Sequence, residues 1–364
     1  MSGNLTTATD LRFGFVDGVT SFDYAEIERA ARDSEDLGAE FLAYGESLVG
    51  GGDPYVALAA AGRVTDRLQL GTAVVTPGVR HPALLARTLL TLNGLTGGRV
   101  FLGVGTGLFL GPGRSRLQEL EEYCLAVKRL TAGESVTVDG GTFQISAAGE
   151  GNAVPLWIAA EGPRSLQLAG RIADAVLIEN GALPSVVAHV RHHVTKGAEA
   201  AGRSPDDVRI WYMTRIRVET SEQNALDDPV LEAYGAGFAA EVWKVVRAGD
   251  GPAVDQLRAK KGLDVSTDVA DRLEAFNREA TAGFFSPENV ELMDKHDLRE
   301  WIARTYFMVG THEQVVDRMR ALVDAGATDF MVPRFVPRAT ADVVDVLTAV
   351  SRATAGSTAK GTEP

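Results

Sequence analysis

The sequence predicts an eight-fold β/α barrel, and three observations carry the prediction. Short runs rich in β-branched residues alternate with helical windows along nearly the whole chain, each run is followed by a helix, and the runs number eight. Strict alternation implies parallel strands joined by right-handed crossovers. Eight repeats imply a closed (β/α)8 TIM barrel rather than an open sheet. With 364 residues, 45% of them hydrophobic and 23% charged, the chain has material for one such barrel or for two ordinary domains.

The strand-like runs are 11–16, 40–44, 68–75, 99–105, 155–159, 175–178, 208–218 and 329–333. Helix starts lie between them: Asp23 and Asp53 as caps, the latter followed by Pro54, then Pro82, Pro163, Pro184 and His312 near later starts. Two stretches depart from the repeat. Residues 135–145 carry Asp139-Gly140-Gly141 between alternating runs, the signature of a small hairpin ahead of the fifth strand. Residues 219–300 are highly charged with helical periodicity and fall after the seventh strand, where an insertion lies at the barrel mouth as a lid or substrate-pocket wall. A second domain is the alternative for that stretch. The whole chain, 1–364, is otherwise read as one barrel domain, with a tail at 353–364 rich in Ser, Thr, Gly and Lys that is expected to fray.

Composition removes several functions. Acidic residues number 49 against 36 basic, and the net charge of -13 repels phosphate backbones and anionic lipid, so neither nucleic acid nor a membrane surface is an expected partner. The single cysteine, Cys124, cannot form an internal disulfide and reads as a buried small hydrophobe. Residues 1–10 are polar, with neither a basic start nor an apolar run, so no signal peptide is read and a cytoplasmic setting is expected. No stretch approaches the roughly 18 uninterrupted apolar residues that a membrane span requires.

In a barrel, chemistry belongs to the C-terminal ends of the strands. That rule selects Asp17, Gly45-Glu46-Ser47, residues 72–77, Thr106-Gly107-Leu108, Ala160-Glu161-Gly162, Glu179-Asn180, and Arg215 with Arg217 on the seventh run. Only His81 among the histidines falls near a strand end, and no His, Cys or carboxylates show metal-ligand spacing, so no metal is expected. A nucleophile elbow of the Gly-x-Ser-x-Gly type is absent. The run 103–107, Gly-Val-Gly-Thr-Gly, lacks the glycine spacing and the later acidic residue of a dinucleotide fingerprint. A better phosphate site is Ala159-Ala160-Glu161-Gly162-Pro163, where a strand breaks into a helix whose first amides and dipole favour an anion, although a plain turn has the same spelling. Arg215 and Arg217 alternate on one face and suit either an anionic substrate or a structural ion pair.

The chain also resembles a family. Leu70-Gly71-Thr72-Ala73-Val74-Val75-Thr76-Pro77, Arg80-His81-Pro82 and Gly97-Gly98-Arg99-Val100-Phe101-Leu102-Gly103-Val104-Gly105-Thr106-Gly107 look like the bacterial-luciferase-like superfamily of flavin- and deazaflavin-dependent oxidoreductases. Pro155-Leu156-Trp157-Ile158-Ala159-Ala160-Glu161-Gly162-Pro163, Leu168-Ala169-Gly170 and Ala173-Asp174-Ala175 resemble its methylenetetrahydromethanopterin reductase branch, and Phe307-Met308-Val309-Gly310-Thr311 with Ala325-Gly326 its C-terminal signature.

The resemblance implies an isoalloxazine or deazaflavin ring in the mouth, with the cofactor phosphate on amides near Ala160, Glu161 and Gly162. It implies a non-prolyl cis bond in a third-strand bulge at Ala73 and Val74, backing one ring face, while Thr76 hydrogen-bonds the ring edge. Glucose-6-phosphate dehydrogenases of the superfamily carry an Asp-His pair after the second strand and a Glu after Gly-Thr-Gly. Here Glu46-Ser47 and Leu108 stand at those places, which disfavours sugar-phosphate oxidation by that acid/base scheme. Glu46 is assigned to the cofactor or to proton transfer, Ser47 to catalysis from the substrate side, Leu108 and Phe109 to an apolar substrate wall, and Arg215 to an anionic group. Coenzyme F420-dependent hydride transfer to or from a small molecule is the leading expectation. An FMN-dependent two-component monooxygenase and a non-catalytic flavin-binding protein are the alternatives. A homodimer through the second and third helices, with Arg80 and His81 nearby, is implied as well.

Overall fold

In the computed structural model, residues 11–19, 23–46, 51–107, 115–146, 153–227, 229–247, 251–280, 287–334 and 339–360 are described. The strands are β1 (Arg12–Gly18), β2 (Phe41–Gly45), β3 (Gln69–Thr72), β4 (Val100–Val104), β5 (Val136–Val138), β6 (Gly141–Phe143), β7 (Leu156–Ala159), β8 (Ala175–Ile178), β9 (Arg209–Met213), β10 (Arg215–Val218), β11 (Phe307–Gly310) and β12 (Asp329–Pro333). Eight of them close a parallel barrel in the order β1-β12-β9-β8-β7-β4-β3-β2. Each expected strand run contributes one barrel strand.

Helices α1 (Tyr24–Asp36), α2 (Pro54–Gly62), α3 (Pro82–Thr96), α4 (Leu117–Thr131), α5 (Pro163–Ile172) and α6 (Pro184–Ala200) follow the first six barrel strands. Their starts are chemically specified. The Asp23 carboxylate accepts from Ala25 N at 3.0 Å and that of Asp53 from Tyr55 N at 2.8 Å, satisfying amides that a helix terminus leaves orphaned. His81 caps α3, its Nδ1 accepting from Ala83 N at 3.2 Å, so its place near a strand end has a structural cause. Asp139 and Gly140 both adopt positive φ in the β5–β6 hairpin, as the Asp-Gly pair predicts. Cys124 is fully buried on α4, and burial pushes its thiol up to about 12.

The barrel lumen is aromatic. Phe101 and Trp157 stack at 3.6 Å, and Phe41 meets Trp157 and Trp211 edge-on at 5.1 and 4.8 Å. Val16, Ala43, Ala175, Leu177 and Met331 join this cluster, with Ala73, Val74, Ala159 and Met213 packed against it. Below it, Arg12 and Asp329 pair at 2.6 Å and Arg209 and Glu40 at 2.6 Å, joining β1, β9, β12 and the residue preceding β2.

The run read as one strand at 208–218 is two. The backbone turns at Thr214, whose N–H donates to Met331 O at 2.9 Å, and Arg215–Val218 leaves the barrel to pair in parallel with β11. Arg215 and Arg217 are therefore on β10 and not on a barrel strand, a correction to the sequence reading. The local pattern is continuous across the break, and the strand that captures β10 lies about 90 residues further on.

Among the described residues, 219–300 is largely helical, as expected: α7 (Glu222–Leu226), α8 (Pro229–Arg247), α9 (Ala253–Lys261), α10 (Thr267–Glu279) and α11 (Pro287–Lys295), leading into α12 (Arg299–Tyr306). Gly262, capping α9 at φ 70, abuts His189 and Ser185 of α6. Ala182 N donates to Thr305 O at 2.7 Å. The chain returns through α13 (His312–Asp324) to β12, and the last described element is α14 (Ala339–Lys360). The backbone of α14 is helical through Lys360. No helix among the described residues is long and apolar enough to cross a membrane.

Candidate active site

The third strand breaks its pairing at the mouth. β3 and β4 pair at Leu70↔Val100 and Gly71↔Phe101 and resume at Val75↔Val104, so β3 carries one extra residue, a bulge. The Thr72 side chain fills the gap, donating to Gly103 O at 2.8 Å and accepting from Gly103 N at 3.0 Å. A Cβ at Gly103 would lie 1.9 Å from Thr72 O, so only glycine permits this approach. Inside the bulge the Ala73–Val74 peptide is cis, as the resemblance implied. Val74 joins the lumen cluster, and its carbonyl accepts from Glu46 N at 3.3 Å.

The bulge thus sets the Glu46 backbone, and the carboxylate is buried with it. Its side chain is 5% exposed. Oε1 accepts from Arg80 Nε at 3.1 Å, while Oε2 has no hydrogen-bond partner among the described residues. Burial raises the Glu46 pKa, and the Arg80 guanidinium opposes that only in part. Arg80 is itself shared with Asp53 and sits 4.4 Å over the Tyr55 ring. Thr76, 4% exposed, lies against Gly107 just beyond the bulge.

Across the mouth, β7 runs into α5 through Ala160, Glu161 and Gly162. Ala160 N donates to Leu177 O at 3.2 Å, and Glu161 N and Gly162 N face Ser165 Oγ at 3.3 and 3.2 Å. Gly162 has open space among the described residues: an added Cβ would meet none of them within 4 Å. Asn180 Nδ2 donates to Glu161 O at 2.6 Å, tying the loop to the end of β8. The Glu161 carboxylate pairs with Lys261 at the end of α9.

Lys261 was not visible to sequence reasoning, because it is one cation in the charged run Arg258-Ala259-Lys260-Lys261. Only the fold of the insertion brings it to the mouth. Arg215 is 2% exposed, ion-paired with Glu179 and lying 4.5 Å over the Phe238 ring, so its charge is held by protein groups, the structural option left open above. Arg217 pairs with Glu219 at 2.8 Å. Ser47, Leu108 and Phe109 lie outside the described residues. No group of three or more potential metal-ligating side chains occurs among those described.

A closed parallel barrel with a bulged third strand, a buried carboxylate beside it and an open strand-to-helix turn opposite has the architecture of a ligand-binding barrel enzyme. The profile of the luciferase-like monooxygenase family matches residues 7–329, and the chain belongs to that family. It is 28% identical over 348 residues to the F420-dependent glucose-6-phosphate dehydrogenase of Nakamurella multipartita, covering 88% of this chain and 100% of that one. Against the 5,10-methylenetetrahydromethanopterin reductase of Archaeoglobus fulgidus it is 27% identical over 327 residues, covering 87% and 92%. The coenzyme F420-dependent tetrahydromethanopterin reductase of Methanopyrus kandleri shares the fold, with a TM-score of 0.68 at 20% identity over 93% of this chain and 97% of that one.

Proposed function

We propose that the protein is an oxidoreductase that exchanges a hydride between coenzyme F420 and a small, partly apolar molecule. The observation that carries this reading is Glu46: a buried carboxylate beside the β3 bulge, with one oxygen left without a partner among the described residues. Its full-length relatives, a dehydrogenase and a reductase, support the cofactor class.

The residues present fit such a group. Val74, Ala159, Met213 and Met331 form an apolar surface for one ring face, and Gly162 leaves room for a phosphate at the α5 N-terminus. Bound F420 would supply a two-electron hydride carrier that needs no oxygen. The chain's own contribution is placement and proton control. Apolar walls exclude water, and the bulge would back one face of the ring and leave the other to the substrate. Thr76 would hold the ring edge. Glu46, kept protonated to higher pH by burial, donates or receives a proton at Oε2. The substrate is read as something other than a sugar phosphate, because only one titratable group of the expected acid/base set is present.

Val56, Leu84 and Leu95 are about half exposed on α2 and α3 and suit the homodimer expected there. The insertion serves as one wall of the mouth of a single barrel unit, and one buried cysteine accords with a cytoplasmic setting. Titration of the purified protein with F420 and with FMN, followed by cofactor fluorescence and oxygen uptake, tests the reading. Micromolar or tighter F420 binding without oxygen consumption is expected. Preferential binding of reduced FMN with oxygen uptake would replace it with the monooxygenase reading.

A further inference from the structure

A carboxylate in a phosphate-receiving loop is an electrostatic problem. Glu161 stands at the turn where β7 enters α5, immediately before Gly162, and its side chain is 42% exposed. A phosphate bound on that turn would meet a like charge a few ångströms away, which weakens binding, and the more so the less polar the surroundings. The structure places a counter-charge there from a distant part of the chain. Lys261 is 7% exposed, and its Nζ pairs with the Glu161 carboxylate and lies 3.4 Å from Asn180 Oδ1. Asn180 is 1% exposed and holds the same loop through its 2.6 Å bond to Glu161 O, so one side chain registers both the loop and the lysine.

The lysine's position is set by backbone. It is the last residue of α9, and Gly262 follows it in the left-handed conformation, packed against α6 at His189 and Ser185. Burial lowers the pKa of His189 to about 4, so the imidazole is neutral near pH 7, and the fully buried Tyr306 phenol, which senses Glu161, is held protonated.

We propose that Lys261 is a positioning residue for the cofactor phosphate: by neutralising Glu161 it makes the Glu161–Gly162 turn able to accept an anion, and so couples docking of the insertion to cofactor binding. This rests on the reading that the phosphate occupies that turn. Lys261 acts through Glu161 and need not touch the phosphate. It follows that the lysine matters only while Glu161 is charged, and only for ligands that carry a phosphate.

The test compares F420 with its deazariboflavin headgroup, which lacks the phosphate and the lactyl-glutamate tail beyond it, and with the headgroup 5′-phosphate, which restores the phosphate alone and must follow the same pattern as F420. Dissociation constants are measured by fluorescence on the full chain. Wild type is expected to prefer F420, K261M to lose roughly tenfold of that preference with headgroup affinity unchanged, and K261R to retain it. The double variant E161Q/K261M is expected to recover F420 affinity. E161Q alone, which keeps the lysine and removes the like charge, is expected to tighten F420 binding and carries the test if K261M does not fold. Equal weakening of both ligands in K261M, no change in either, no recovery in the double variant, or unaltered F420 binding in E161Q would overturn the proposal. Absence of any phosphate preference in wild type would instead remove the phosphate assignment itself, and the two failures are distinguished because that one is read before any substitution is made.

Discussion

Burial governs Glu46, and the sign of its effect on stability follows. Its folded pKa lies above the unfolded value of about 4.3, so its stabilising contribution is complete below that value and is lost as pH rises through the folded pKa. Glu46→Gln removes the ionisation and retains an oxygen for Arg80. Its stability relative to wild type is therefore expected to rise between about pH 4 and about pH 7.5, read from urea midpoints at both. A difference independent of pH would show that Glu46 ionises as freely folded as unfolded. The residue type and its place after the second strand were legible in the sequence, and so was the cis position at Ala73 and Val74, through resemblance. The partner was not: Arg80 reaches Glu46 from the start of α3 while also paired with Asp53 at the start of α2, an outcome of packing.

Elements meet the mouth at different costs. The insertion docks on α6 through Gly262, where φ is 70 and an added Cβ would lie 2.5 Å from His189 Cβ. Gly262→Ala incurs about 1 kcal/mol for the left-handed backbone and a further cost of about 1 kcal/mol or more for overpacking. Gly38→Ala, at φ 84 with nothing within 4 Å, incurs only the first, and makes the control. Urea denaturation of both variants checks the difference, and hydrogen exchange in α9 and α10 should rise selectively in the first. Equal costs in the two would mean that the α6 contact carries nothing. Helix periodicity announced these elements and Asp-Gly the hairpin, since both signals are local. The division of 208–218 into β9 and β10 was hidden, because its cause is capture by β11 from far along the chain.

At the scale of the whole molecule, closure joins the first strand to the last. Arg12 binds Asp329 in a two-point pair at 2.6 and 3.2 Å, and Arg209, 3.7 Å from the same carboxylate, continues to Glu40. Asp329→Ala leaves two guanidiniums, about one-third exposed, with one carboxylate between them and is expected to cost about 2 kcal/mol, below the figure for fully buried pairs. Equilibrium denaturation measures it, and a cost below about 0.5 kcal/mol would place the pair with ordinary surface ion pairs. The sequence by itself determined the barrel, its eight strands, its helix caps and the loops in which chemistry must lie, because strand and helix periods, caps and turns act within a few residues. Only the tertiary structure decided what those loops contain. It buried Arg215 against Glu179, aimed Lys261 at Glu161 across 100 residues, and left one oxygen of Glu46 without a partner among the described residues. Charge pairing and desolvation depend on distance in space, and a sequence records only distance along the chain.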